Sequence, residues 1–173
     1  YWKRQIKDLP FVIANPPWSS EKVFTKSELS QAGYELYTGQ YDSYVLFIEL
    51  CLKLTKRGGM LAFIIPDSLF SGETKKLREH LLKNTQIKVI ARLGEKLFPN
   101  VNRATSVIIL KNDIPSPDSI TKCYRLDTAD RKKFLLGSLD IFDSYIQKKH
   151  SVLQKRFADN QNYVFDIDAR KEE

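Results

Sequence analysis

Apolar residues fall in two continuous runs in the first third of the chain, Phe11-Val12-Ile13-Ala14 and Met60-Leu61-Ala62-Phe63-Ile64-Ile65, and at helical spacing between them. Short runs that stop abruptly are the mark of strands buried in a parallel sheet. The first strand is predicted around residues 10–14 and ends at Asn15-Pro16-Pro17-Trp18, where two prolines remove two backbone donors and fix φ. Residues 19–40 are polar, include Gly33 and Gly39, and read as a long loop with room for a short helix. From Asp42 the period turns helical: Tyr44, Phe47, Ile48 and Cys51 follow it, Asp42 suits the N-cap, and Gly58-Gly59 is a stop signal. Val45, Leu46, Leu50 and Leu52 occupy the other faces, so this helix is expected to be largely buried. Strand, crossover with helix, strand is the pattern of a parallel βαβ unit.

A second helix is predicted over about 71–83, with Leu77 and Leu81 on one face and its lysines and arginine in solvent. Strands near 87–93 and 105–110 follow, joined by the loop 94–103. The tract 112–119 has linker composition, and beyond it a peripheral strand and one amphipathic helix, from about 138 to 157, are expected. The predicted division is thus 1–111 and a linker and helical extension over 112–173.

Composition narrows the class without naming a function. With 42% hydrophobic and 28% charged residues the chain suits one soluble domain. It has neither an apolar run of about 20 residues nor a signal peptide at its start, so a cytoplasmic address is the default and no membrane partner is expected. Because it opens on a tyrosine and enters a strand almost at once, it reads as part of a longer polypeptide. Cys51 and Cys123 lack metal-ligand spacing and have only His80 and His150 to join them, so no metal site is expected. The formal charge of +7 favours a polyanionic partner, although charge alone does not establish one.

The chemistry concentrates in Asn15-Pro16-Pro17-Trp18, at the carboxyl end of a hydrophobic strand, where open α/β sheets present ligand-binding groups. Methylating an exocyclic amine requires pulling its lone pair out of conjugation with the ring and aiming it at an electrophilic methyl. Two hydrogen-bond acceptors on the amine do this: the amide oxygen of Asn15 and the carbonyl of Pro16. Trp18 adds a flat face for a base, a contact worth about 1–3 kcal/mol in nucleic-acid sites. The bland alternative is a turn whose prolines merely end a strand.

The run Phe11 to Trp18 resembles motif IV, the Asn/Asp-Pro-Pro-aromatic tetrapeptide of N6-adenine and N4-cytosine DNA methyltransferases. Tyr41-Asp42 through Gly58-Gly59, the strand to Ile65-Pro66-Asp67, and Leu93-Gly94-Glu95-Lys96-Leu97-Phe98-Pro99 leading into Ser106–Leu110 resemble, in order, later motifs of gamma-type adenine enzymes. Many type I and type IIG restriction-modification proteins belong there. The resemblance covers roughly 8–111 and implies a partial doubly wound, Rossmann-like α/β sheet, mixed, with its last strand antiparallel. It also implies in-line methyl transfer from S-adenosylmethionine to adenine N6 of a base flipped out of double-stranded DNA.

In that resemblance Asn15, Pro16, Pro17 and Trp18 form the catalytic turn, and Phe98 faces Trp18 across the base. Asn100, Asn102 and Arg103 would lie beside Phe98 as candidates for phosphate contact, and Asn15 and Phe47 match cofactor-lining positions. For Phe98 and Phe47 the competing reading is simple packing over the core. Tyrosine or phenylalanine is commoner than tryptophan in the motif. The family's glycine-rich FxGxG loop and the acidic residue for the cofactor ribose are not found here, so the N-terminal cofactor-binding half is expected elsewhere in the full-length protein, and little cofactor affinity is expected of this segment alone. Expected partners are DNA and the remainder of the polypeptide or a specificity subunit. Two other readings stay open: a glutamine or RNA methyltransferase sharing the Asn-Pro-Pro-aromatic turn, and a non-catalytic DNA-binding or assembly segment.

Overall fold

The computed structural model describes residues 6–19, 24–39, 41–98, 101–126, 128–136 and 148–168. Strand β1 (Leu9–Ala14) is followed by a short helix α1 (Lys26–Gln31), then α2 (Ser43–Leu54) and strand β2 (Thr55–Pro66). Two single 3₁₀ turns lead into α3 (Lys75–Asn84), β3 (Gln86–Gly94) and β4 (Thr105–Lys111). Beyond these come β5 (Ile120–Arg125), α4 (Thr128–Leu136), β6 (Lys148–Leu153) and α5 (Gln154–Asp159). The six strands form one sheet in the order β1-β2-β4-β3-β5-β6. β1 and β2 are parallel, as the βαβ pattern predicts, and β4 is antiparallel to its neighbours, as the resemblance implies, and lies between β2 and β3.

One face of the sheet carries the main core. Leu61, Phe63 and Ile65 of β2 and Ile108 and Leu110 of β4 pack with Tyr44 and Ile48 of α2, Leu77 and Leu81 of α3, and Phe157 of α5. Truncating one of these large aliphatic side chains to alanine costs about 2–5 kcal/mol. Burial along β1 and β2 alternates instead of being complete on both faces. Met60, Ala62 and Ile64 stay half-buried, and Phe11 and Ile13 of the outer strand β1 are 70% and 87% exposed. A smaller cluster of Ala91, Leu93 and Leu126 holds Leu97, which anchors the β3–β4 loop next to Phe98.

Four sequence expectations change. Helix α2 ends at Leu54, before the glycine pair, because the backbone is already extended at Thr55. Gly58 (φ +76) and Gly59 instead form the irregular start of β2. A Cβ on Gly59 would lie 2.6 Å from the Thr55 methyl and 3.0 Å from the Leu9 carbonyl, so only glycine fits. The arginine of α3 is not in solvent: Arg78 is fully buried. Residues 148–153, placed within the predicted amphipathic helix, are an edge strand antiparallel to β5, and 138–147 of that helix lie outside the described residues. Finally, the tract after Lys111 leads to two strands of the same sheet, and Phe157, Phe165 and Ile167 join the main core.

Candidate active site

The carboxyl ends of the parallel strands β1, β2 and β3 bring three loops together. The first and third border an open cleft of about 600 Å³, lined by Asn15, Pro16 and Trp18 from the first loop and Phe98, Val101, Asn102 and Arg103 from the third. Asn100 lies outside the described residues, and Phe47 lies elsewhere.

The Asn15–Trp18 turn is joined to the start of α2 by one serine. The Ser43 hydroxyl donates to the Pro17 carbonyl at 2.6 Å and accepts from the Ser19 N–H at 3.0 Å, while the Ser43 N–H donates to the Ser19 carbonyl at 2.8 Å. Pro17 and Ser19 are thereby saturated. The exposed Asn15 amide and the Pro16 carbonyl make no hydrogen bond with any described residue, so two acceptors remain available at the cleft.

Trp18 and Phe98 meet edge to face, with ring centroids 6.2 Å apart and planes at 71°. A base sandwiched between two rings needs them parallel and roughly 7 Å apart, twice the ordinary carbon contact distance. The rings are therefore adjacent but must turn to admit one. The Trp18 indole N–H is buried without a partner among the described residues, an arrangement that costs about 1–3 kcal/mol.

Two acid–arginine pairs support the third loop from below. Asp67, at the end of β2, accepts from Arg92 Nε at 2.9 Å and Arg92 Nη2, and from the Ser106 hydroxyl, while its N–H donates to the Ala104 carbonyl at 2.8 Å. One carboxylate thus ties the last turn of β3 to the first residues of β4. Arg92 also stacks over Phe70 at 4.5 Å. In the second pair the Arg103 guanidinium donates to Asp42, and its Nη1 lies 3.4 Å from the Trp18 carbonyl. Asp42 occupies the N-cap of α2 as predicted, yet its carboxylate makes no capping bond. Ser68 Oγ lies 3.4 Å from that carboxylate and 3.3 Å from the Tyr44 hydroxyl, whose ionisation burial pushes above the ordinary phenol range.

Phe47 lines a separate apolar hollow of about 440 Å³ with Phe24, Leu29, Tyr34, Leu46 and Leu50. Ser43 lines the same hollow, so it adjoins the back of the Asn15–Trp18 turn. A flat aromatic group fits such a lining. Glu28, the acidic residue at its rim, is committed to a capping box with Thr25, accepting the Thr25 N–H at 2.7 Å. Among the described residues no His, Cys, Asp and Glu group is arranged to hold a metal, and no helix is long and apolar enough to cross a membrane.

The sequence singled out both rings and both acceptors but missed Ser43, Asp67, Arg92 and Ser106. Asp67 carried a usable signal: it directly follows an apolar strand, as Asn15 follows its own. The partners of Arg92 and Ser106 emerge only from strand pairing.

The model of the family described as Eco57I restriction-modification methylase matches residues 8–98. The type II restriction enzyme and methyltransferase RM.Eco57I of Escherichia coli is 28% identical over a match covering 89% of this chain and 16% of that protein. The type II methyltransferase M.HincII of Haemophilus influenzae is 27% identical, over 88% of this chain and 37% of its own. Among solved structures, the type I restriction-modification system methyltransferase subunit from Streptococcus thermophilus shares the fold, with a TM-score of 0.65 at 16% identity over 96% of this chain and 39% of that one. The chain thus spans well under half the length of each of these relatives.

Proposed function

The chain belongs to the Eco57I restriction-modification methylase family, and from that premise we propose that it forms the base-gripping part of a DNA methyltransferase acting on adenine N6. The observation that carries this reading is the pair of unengaged acceptors, Asn15 Oδ1 and the Pro16 carbonyl, beside two aromatic rings in one cleft. Both acceptors take hydrogen bonds from the exocyclic amine, draw its lone pair away from the ring, and orient it. Neutral acceptors suffice, because the amine proton becomes acidic only as the new bond forms.

Trp18 and Phe98 hold the flipped adenine once they turn from edge-on to parallel. The same rotation frees the unpaired Trp18 N–H for an acceptor on the nucleotide. Flipping is needed because the amine lies inside the stacked duplex. S-adenosylmethionine, when bound, supplies the electrophilic methyl group. On this reading the hollow at Phe47 would hold its aromatic end, and Asn15 would lie toward its reacting end. The remaining contacts come from further strands of the same polypeptide, which would continue the sheet at the open edge of β1 and cover Phe11 and Ile13. A target-recognition region or specificity subunit completes the grip on double-stranded DNA in the cytoplasm.

The test is nucleoside mass spectrometry on unmethylated DNA incubated with S-adenosylmethionine and the full-length protein, beside Asn15→Ala. N6-methyldeoxyadenosine is expected with the parent protein and not with the variant. A folded, cofactor-binding protein that leaves DNA of many sequences unmodified, and instead methylates RNA or a glutamine, would overturn the reading.

A further inference from the structure

The Asp42–Arg103 pair sits where the loops that follow β1, β2 and β3 converge, and we propose that it is the positioning device of this site. It sets the spacing between the Asn15–Trp18 acceptor turn and the loop carrying Phe98, and Arg103 acts through it instead of binding a DNA phosphate. The inference rests on the methyl-transfer reading above.

Three observations carry it. First, the Asp42 side chain is only 9% exposed. It stands at a helix N-terminus whose free N–H groups are its natural partners, and a capping bond there is worth about 1 kcal/mol. It nevertheless makes none and turns to an arginine 61 residues away. Second, the guanidinium is a fork whose donors diverge. Arg103 sends one toward the Trp18 carbonyl and others to Asp42 and Ser68, bridging the β1 turn, the start of α2, the turn after β2 and its own loop. Third, those connections end beside the reacting groups. Trp18 is the residue whose carbonyl is held, and Ser43, next to Asp42, holds Pro17. A shift of the pair therefore displaces the acceptors and Phe98 relative to each other, and about 1 Å of misplacement at a reacting centre costs on the order of 100-fold in rate.

The two roles for Arg103 predict opposite behaviour of its partner. A phosphate-binding arginine would be freed by neutralising Asp42, so Asp42→Asn would tighten DNA binding. A positioning pair loses function from either side.

The experiment uses the full-length protein and its Arg103→Ala, Arg103→Lys, Asp42→Asn and doubly substituted Arg103→Ala/Asp42→Asn forms. Turnover, DNA affinity against salt, and fluorescence of 2-aminopurine at the site the parent methylates are measured. Asp42→Asn is isosteric and keeps the fold testable should Arg103→Ala lose stability. Expected are a fall in kcat of about 100-fold in each alanine or asparagine variant with no further fall in the double. Partial recovery in Arg103→Lys, a reduced 2-aminopurine signal, and DNA affinity within about twofold at an unchanged salt slope should accompany it. The proposal is overturned if Arg103→Ala lowers the salt slope by about one, the signature of a lost phosphate contact, while Asp42→Asn tightens binding. Parent-like kcat in Asp42→Asn also overturns it. A parent protein that methylates no adenine defeats the underlying reading, and this inference with it, and is recognised before any variant is compared.

Discussion

Around Arg78 polar groups meet one another, whereas around Asn15 they meet the cleft. Arg78 is fully buried and has no carboxylate partner among the described residues; its guanidinium donates to the carbonyls of Leu69, Ser71, Asn162 and Tyr163 and to the Thr74 hydroxyl. Burial lowers its pKa from the ordinary arginine value, and the five acceptors keep the charge tolerable. Asn162 and Tyr163 hold positive φ, at 57° and 55°, an unfavourable conformation for such residues that the arginine's bonds help to fix. The Asn15 turn inverts this: Pro17 and Ser19 are bonded to Ser43, and the Asn15 amide and Pro16 carbonyl beside them are left open. The first arrangement is that of a scaffold, and the second is the one the proposed base-gripping role requires.

The largest expected effect lies on the scaffold side. Arg78→Ala leaves several buried carbonyls without donors and should cost about 3–5 kcal/mol. Asn15→Ala, by contrast, should stay within about 0.5 kcal/mol of the parent. Urea titration of both reads the contrast directly, and equal losses would erase it. A smaller effect is expected at Phe98, where alanine should weaken capture of a flipped base by about 1–3 kcal/mol and leave the melting temperature nearly unchanged. Titrating DNA that carries 2-aminopurine at the target position measures this, and a large loss of stability would make Phe98 a core residue instead.

The smallest effect concerns the thiols. Burial pushes Cys51 up to about 11 and Cys123 up to about 12 from an ordinary 9.0. A raised acid stays protonated in the folded state, so its contribution to stability is complete below pH 9.0, the ordinary value, and is lost as pH climbs through 11 and 12. Alkylation of the native protein at pH 8 should therefore proceed only through opening of the core. Rapid labelling of either cysteine would show that its surroundings are looser than those of Arg78.

The same contrast explains what could be read from the sequence. β1, β2 and α2 announce themselves through local signals: apolar runs stopped by proline, and a helical period beginning at Asp42. The rest depends on partners far along the chain. Arg78 looks solvated because its acceptors at Asn162 and Tyr163 are 84 and 85 residues away. β6 carries Lys-Lys-His-Ser before any apolar residue, as an edge strand can, and has no alternation to betray it. In the candidate site the residue types were legible in Asn15, Trp18 and Phe98, but Asp42 looked only like a cap. Its engagement with Arg103 is a property of the folded loops and not of either segment.

The wedged position of β4 also orders events during synthesis. β2 and β3 do not pair with each other and are joined only through residues 105–111, which bond to both, and the same strand brings Ser106 to Asp67 beside Arg92. A nascent chain still short of Lys111 already contains the Asn15–Trp18 segment but lacks the strand that closes the base of the Phe98 loop. Synthesis thus delivers the two sides of the proposed clamp at different times, and they are set against each other only when β4 joins the sheet.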